Sequence, residues 1–189
     1  MRNKIYIATK TAATTPDEFW RQLETSLHLL RTDYLDLYQF HCVNQCYRPE
    51  DGTGMYECML KAKEQGMIRH IGVTAHKIGI AEECVASGLY ETMQFPFSYL
   101  SSVQELQLVE ACSRLKHGIY CHERTCWRSD PQLQSCHGLY DTNLITFCQS
   151  GESRKISELE EWLSYMEHTP SMDEENLCLY RKKKNWTDR

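Results

Sequence analysis

No apolar run in this chain approaches the roughly 20 residues that a membrane span requires. The N-terminus also lacks the long apolar core of a secretory signal. The expectation is a soluble, cytoplasmic protein with no membrane partner. An excess of positive charge is missing too. The formal net charge is −5, which counts against a groove that neutralises many phosphates, so no nucleic-acid partner is expected. The run Arg181–Lys184 lies near the C-terminus and is read as a solvated tail. Paired Cys-x-x-Cys motifs are absent: Cys42 and Cys46 are separated by three residues and have no second such pair. Without a secretory signal, ten cysteines do not imply a disulfide framework. Nor does a glycine-rich phosphate loop follow any predicted strand, which argues against a doubly wound dinucleotide-binding sheet.

What is present is the composition of a globular chain, 41% hydrophobic and 25% charged over 189 residues: one domain, or a fragment of a larger one. The pattern is organised around Asp33–His41, DYLDLYQFH, an apolar and aromatic run broken only by Asp36 and Gln39. A strand covered on both faces in a parallel sheet reads this way. It ends on His41, at the end of the strand where such sheets carry their chemistry. A histidine closing an apolar run is more often structural, so this feature alone decides nothing.

Before it, Ile5–Lys10 is β-rich and ends in a lysine. Thr15 offers an N-cap, Pro16 suits the first helical position, and Phe19, Trp20, Leu23, Leu27 and Leu30 recur at helical spacing, predicting a helix over Pro16–Arg31. After it, the spacing predicts a helix over Gly54–Gln65 with Gly66 as its cap, then a strand over Arg69–Thr74. A helix over Ile80–Ser87, a strand over Glu91–Phe95 and a helix over Val103–Leu115 follow. Regular β-α alternation implies parallel strands with right-handed crossovers, in a (β/α)8 barrel or a doubly wound sheet.

Four stretches, RNKIYIATKT, LETSLHLLRTDYLDLYQFH, GMIRHIGVTAH and ETMQFPFSYL, together resemble the third to sixth strands of the aldo/keto reductase barrel with their helices. The subgroup they most resemble usually carries a C-terminal ferredoxin-like extension, and nothing like it is present here. The resemblance implies a partial (β/α)8 TIM barrel with strands 1–2 absent, acting as an NAD(P)H-dependent oxidoreductase on small aldehydes and ketones. It implies that Lys10 is the lysine that lowers the pKa of a catalytic tyrosine, and His41 the histidine that orients and polarises the carbonyl. Such donors stabilise the charge that develops on a carbonyl oxygen receiving hydride, and a nearby cation helps a tyrosine release its proton. Gln94 matches a glutamine that binds the nicotinamide carboxamide. Thr74 stands for a serine with the same role. Ala75 replaces a frequent asparagine, which removes one hydrogen bond, and His76 occupies a position that is more often aromatic and is given a structural role. The catalytic tyrosine and its aspartate belong to the first two βα units, and this chain starts directly before the third strand. The implied enzyme is therefore without its acid and expected to be inactive as it stands.

Past Leu115 the resemblance breaks down in the direct reading: HGIYCHERTCWRSDPQLQSCHG and LITFCQSGESRK do not read as strands. Suitable codons for His117–His137, read one base later, spell TGFIAMKGLAGGLIPNSKAA, and the bases that follow can extend it by MA. Those for Leu144–Lys155, read two bases later, spell DNVLPIWGIQK. These are the family's seventh and eighth strand motifs in order, and the pattern is that of a frameshifted copy. It also explains five cysteines after residue 116. The implied layout is 1–116 for barrel strands 3–6, 117–156 for the degraded strand 7–8 region, 157–172 for the last barrel helix with its Ser157–Glu160 capping box, and 173–189 for a polar tail. Open edges at Ile5–Lys10 and Glu91–Phe95 would favour self-association. Two other readings stand beside this one: a non-enzymatic fragment or pseudogene product, and a metal-binding module built on Cys121–His122, Cys126 and Cys136–His137, whose spacing fits no common zinc finger. No metal site is expected.

Overall fold

The alternation of period-2 and period-3.6 segments is realised in the computed structural model, which describes residues 2, 5–96, 101–122 and 148–150. Its elements run β1 (Ala8–Thr11), α1 (Pro16–Leu30), β2 (Leu35–Phe40), α2 (Met55–Glu64), β3 (Ile68–Thr74), α3 (Ile78–Ser87), β4 (Thr92–Phe95), α4 (Val103–Arg114), β5 (Gly118–His122) and β6 (Cys148–Ser150). The chain divides into two units, residues 1–95 with 108–118 and residues 96–107 with 119–189.

In the first unit β1, β2, β3 and β4 are neighbours in chain order and pair in parallel. Each consecutive pair is joined through a helix, as parallel neighbours require. This is the expected partial barrel topology. All six residues of β2 are buried, so the strand is covered on both faces, as its unbroken apolar character predicts. Phe19 of α1 meets Tyr38 at 5.6 Å between ring centroids and Phe40 at 6.3 Å, and Phe40 goes on to Tyr47 at 4.8 Å. Phe19, Leu23, Tyr38, Phe40, Met55 and Met59 are almost entirely removed from water and form the layer between helices and sheet.

Local chemistry explains the first helix. Thr15 accepts a hydrogen bond from the Glu18 amide at 3.4 Å, Pro16 opens the helix, and Asp17 and Glu18 lie at the positive end of its dipole. Thr15→Ala is expected to cost about 1 kcal/mol. A reduced urea midpoint at unchanged slope would register it, and an unchanged midpoint would show that the cap contributes nothing.

Three differences from the sequence pattern have plain causes. β1 starts at Ala8 rather than Ile5, since Tyr6 is 91% exposed and pairing begins where the Ile7 carbonyl receives the Asp36 and Leu37 amides. α2 ends at Glu64 with Gln65 as its C-cap in the right-handed helical region, so Gly66, at φ +74°, follows the cap instead of forming it. The Glu91 end of the fourth strand is not an open edge, because the Gly118 amide donates to the Glu91 carbonyl at 2.9 Å.

In the second unit, Ser102 and Glu105 form a reciprocal capping box at the start of α4. β5 and β6 pair in parallel from Tyr120 opposite Cys148 to His122 opposite Ser150. Both strands fall where the sequence pattern predicts none. They are short, and backbone pairing defines them where no alternation of apolar residues does. The predicted helix over 157–172 and the tail over 173–189 lie outside the described residues.

Candidate functional site

The register of the first unit decides which side chains share a face. Lys10 lies opposite Gln39, Gln39 opposite Gly72, and Gly72 opposite Thr92. Parallel partners point to the same side of a sheet, and residues two apart on a strand do as well. One step further along the strands are therefore His41, Thr74 and Gln94, with Thr74 directly opposite Gln94. The four residues singled out in the sequence thus belong to one face, Lys10 in one layer and the other three in the layer nearer the carboxyl edge. The opposite face carries Thr11, Tyr38 and Phe40 toward α1, where the Thr11 hydroxyl donates to Gln22 Oε1 at 2.8 Å.

His41 lies just beyond β2, exposed, with its amide donating to the Thr11 carbonyl at 2.8 Å. Lys10 is half-buried. Thr74 and Gln94 are buried. The Thr74 hydroxyl accepts from the Cys42 amide at 2.7 Å, and its carbonyl accepts from the Val43 amide at 2.9 Å. The loop after β2 is in this way pinned to the end of β3. The Gln94 carbonyl accepts from the Ala75 amide at 3.1 Å, which pins the end of β3 to β4. A cavity of about 450 Å³ opens between the loops after β1 and β2, with His41, Cys42, Ala12 and Asn44 among its walls.

Two polar residues in the lower layer went unmarked as site residues. Gln39 and Thr92 are packed around Gly72, and the Gln39 side-chain nitrogen and Thr92 hydroxyl are buried without a hydrogen-bond partner. The signal for Gln39 was its place as a polar break two residues before His41 in an apolar strand.

The buried tyrosines are ill suited to give up a proton. Burial pushes Tyr38 up to about 12, with the Thr11 hydroxyl pulling slightly the other way. Tyr47, Tyr56 and Tyr90 are also pushed up, chiefly by burial and further by neighbouring acidic groups. Among the described residues no three His, Cys, Asp or Glu side chains converge as a metal site. Cys126, Cys136 and His137 lie outside them.

The aldo/keto reductase family model matches residues 1–124. The chain belongs to the aldo/keto reductase family. Methylglyoxal reductase DkgB of Salmonella typhi is 36% identical over 91 residues, 46% of this chain and 33% of that protein. The protein of the same name from Escherichia coli O157:H7 is 32% identical over 124 residues, 63% of this chain and 45% of that one. This aldo/keto reductase chain thus spans less than half the length of these curated relatives. A thermostable aldo-keto reductase solved with the inhibitor epalrestat matches with a TM-score of 0.73 at 20% identity, over 95% of this chain and 72% of that one. That likeness establishes the fold, a parallel α/β arrangement of the reductase barrel type. No described helix is long and apolar enough to cross a membrane.

Proposed function

We propose that this chain binds a nicotinamide cofactor, NADP or NAD, and a small aldehyde or ketone at the carboxyl edge of its first unit, as part of an NAD(P)H-dependent carbonyl oxidoreductase site. The register that sets His41, Thr74 and Gln94 in one layer above Lys10 carries this reading. The residues present fit a carboxamide. The Thr74 hydroxyl already accepts from Cys42 and keeps its own proton to donate, and the Gln94 side-chain amide offers both donor and acceptor in the same buried layer. The bound nicotinamide would supply hydride. His41 would donate a hydrogen bond to the carbonyl oxygen and hold it, and the Lys10 ammonium would stabilise the negative charge gathering there.

Proton delivery is the weak step. Within the described residues the buried tyrosines belong to the aromatic packing and are pushed up in pKa, so none is poised as an acid near neutral pH. Binding with little or no turnover is therefore the function expected of this chain alone, in the cytoplasm, as a fragment-like member of its family. The out-of-phase motifs at His117–His137 and Leu144–Lys155 support a frameshift. A genomic read whose codons cannot spell those peptides would sink that part. β1 has a neighbour on one side only among the described strands, and self-association is expected there.

Titration of the full chain with NADPH and NADH, followed by nucleotide fluorescence, tests the reading. Saturable binding is expected with at least one of them, weakened about tenfold by Thr74→Val and by Gln94→Ala through loss of one hydrogen bond each. His41→Ala should leave it unchanged. Absence of saturable binding to both nucleotides in the folded chain would refute the proposal.

A further inference from the structure

Cys42 and His76 form a pair that the reductase reading does not use. Cys42 follows His41 at the carboxyl end of β2 and is held at φ +51°, a conformation that L-residues other than Asn and Asp seldom adopt. Its amide is fixed to the Thr74 hydroxyl at 2.7 Å, and the next amide, that of Val43, to the Thr74 carbonyl at 2.9 Å. This anchored turn brings the Cys42 Sγ within 3.3 Å of His76 Nε2, from a residue 34 positions away in sequence. With the ring proton on Nδ1, Nε2 is the acceptor of the thiol proton. Cys42 also lines the 450 Å³ cavity beside His41 and Asn44.

The other cysteines of the first unit differ. Cys46, Cys58, Cys84 and Cys112 are buried, whereas Cys42 is partly open to solvent. Burial pushes the Cys58 and Cys84 thiols up and Cys112 to about 11, so these three stay protonated and inert near neutral pH.

We propose that Cys42, with His76 as its proton acceptor, is a covalent site for small α,β-unsaturated carbonyl compounds entering this cavity. His76 Nε2 takes the thiol proton, and the thiolate sulfur bonds to the β-carbon of the ligand. The C=C π pair moves to the α-carbon, which takes the proton back from the imidazolium. The product is a saturated thioether, and no oxidant or reductant is consumed. The site stands on the thiol–imidazole geometry and the cavity, independently of cofactor binding.

The test is treatment of the folded full chain with 2-hexenal at pH 7, with modified cysteines located and timed by peptide mass spectrometry. Cys42 should react at least about tenfold faster than Cys46, Cys58, Cys84 and Cys112. His76 is exposed, so His76→Gln and His76→Asn should keep the fold, checked by far-ultraviolet circular dichroism. Each should slow Cys42 about tenfold and leave the buried cysteines unchanged. A Cys42 rate equal to that of the buried thiols would overturn the proposal. So would an unchanged Cys42 rate in both folded His76 variants, since accessibility alone would then explain the reactivity.

Discussion

Asp36→Ala is expected to lower the stability of the first unit by about 2–3 kcal/mol. The Asp36 carboxylate is only 5% exposed and is satisfied on every side. Oδ2 accepts from the Ile7 amide at 2.9 Å and from Arg2 Nη2 at 2.7 Å, and Oδ1 accepts from Arg69 Nη1 at 3.0 Å. Both guanidinium groups also lie 4.0 Å from the centroid of the Tyr34 ring. One carboxylate therefore ties together the segment before β1, the start of β2 and the start of β3. Removing it strands the Ile7 amide and takes the carboxylate from two cations, of which Arg2 keeps its bonds to Thr32, Ile5 and Tyr34. Because Arg69 is half exposed and recovers water, the loss stays below that of a fully buried ion pair.

The same residue sets an acid response. Burial by itself would raise the Asp36 pKa, but the Ile7 amide and the two arginines outweigh it and hold the carboxyl below its ordinary value of 3.8. A carboxyl depressed in the folded state contributes stability that is complete above the unfolded value and is lost as pH falls through the folded one. Denaturant midpoints should therefore drop below about pH 4, and Asp36→Asn should flatten that drop. Some slope will remain from Glu91. Burial would raise its pKa, but His70, Lys63 and the Ile71 amide together lower it. An Asp36→Asn variant with the parent's acid profile would show that the cluster is not held as described.

Gly72→Ala has the second large effect, about 2–3 kcal/mol of destabilisation. A Cβ at this position would run into Thr92 Oγ1, with Gln39 Cγ at 2.9 Å and Leu37 Cδ1 at 3.1 Å. All three neighbours belong to strands whose register is fixed by pairing, so the space can open only by moving side chains in a layer that is already buried. Thr92→Ala in the same background removes the first obstacle and should recover more than half of the loss, making the two substitutions strongly non-additive. Additive effects would mean that Gly72 is not crowded from that side. Because this layer lies directly beneath Thr74 and Gln94, the single variant should weaken nucleotide binding as well, and the double variant should restore it.

These two sites show what could and could not be read in advance. β2 was legible because an apolar run with two polar breaks has few alternatives in a βα series, and α1 because Thr15 and Pro16 mark its start. Lys10, His41, Thr74 and Gln94 could be picked out because each stands at a strand end within a recognisable stretch. Their sharing of one face could not, since it depends on register between strands about 20 to 30 residues apart, and a slip of one residue would have turned any of them to the other face. Gln39 and Thr92 were missed for the same reason: their meeting over Gly72 exists only across the sheet. The start of β1 was misplaced because Ile5 and Tyr6 look like strand residues although Tyr6 faces water. β5 and β6 left no periodic trace, so pairing alone reveals them. The Cys42–His76 contact joins two strand-end residues that nothing local connects.

The most direct test of the shared layer is a map of backbone amide shifts in the full chain as NADP+ is added. The largest changes are expected at His41, Cys42, Thr74, Ala75 and Gln94, with Tyr38 and Phe40 on the helix-facing side little affected. Changes confined to the helix-facing side, or none at saturating nucleotide, would contradict it.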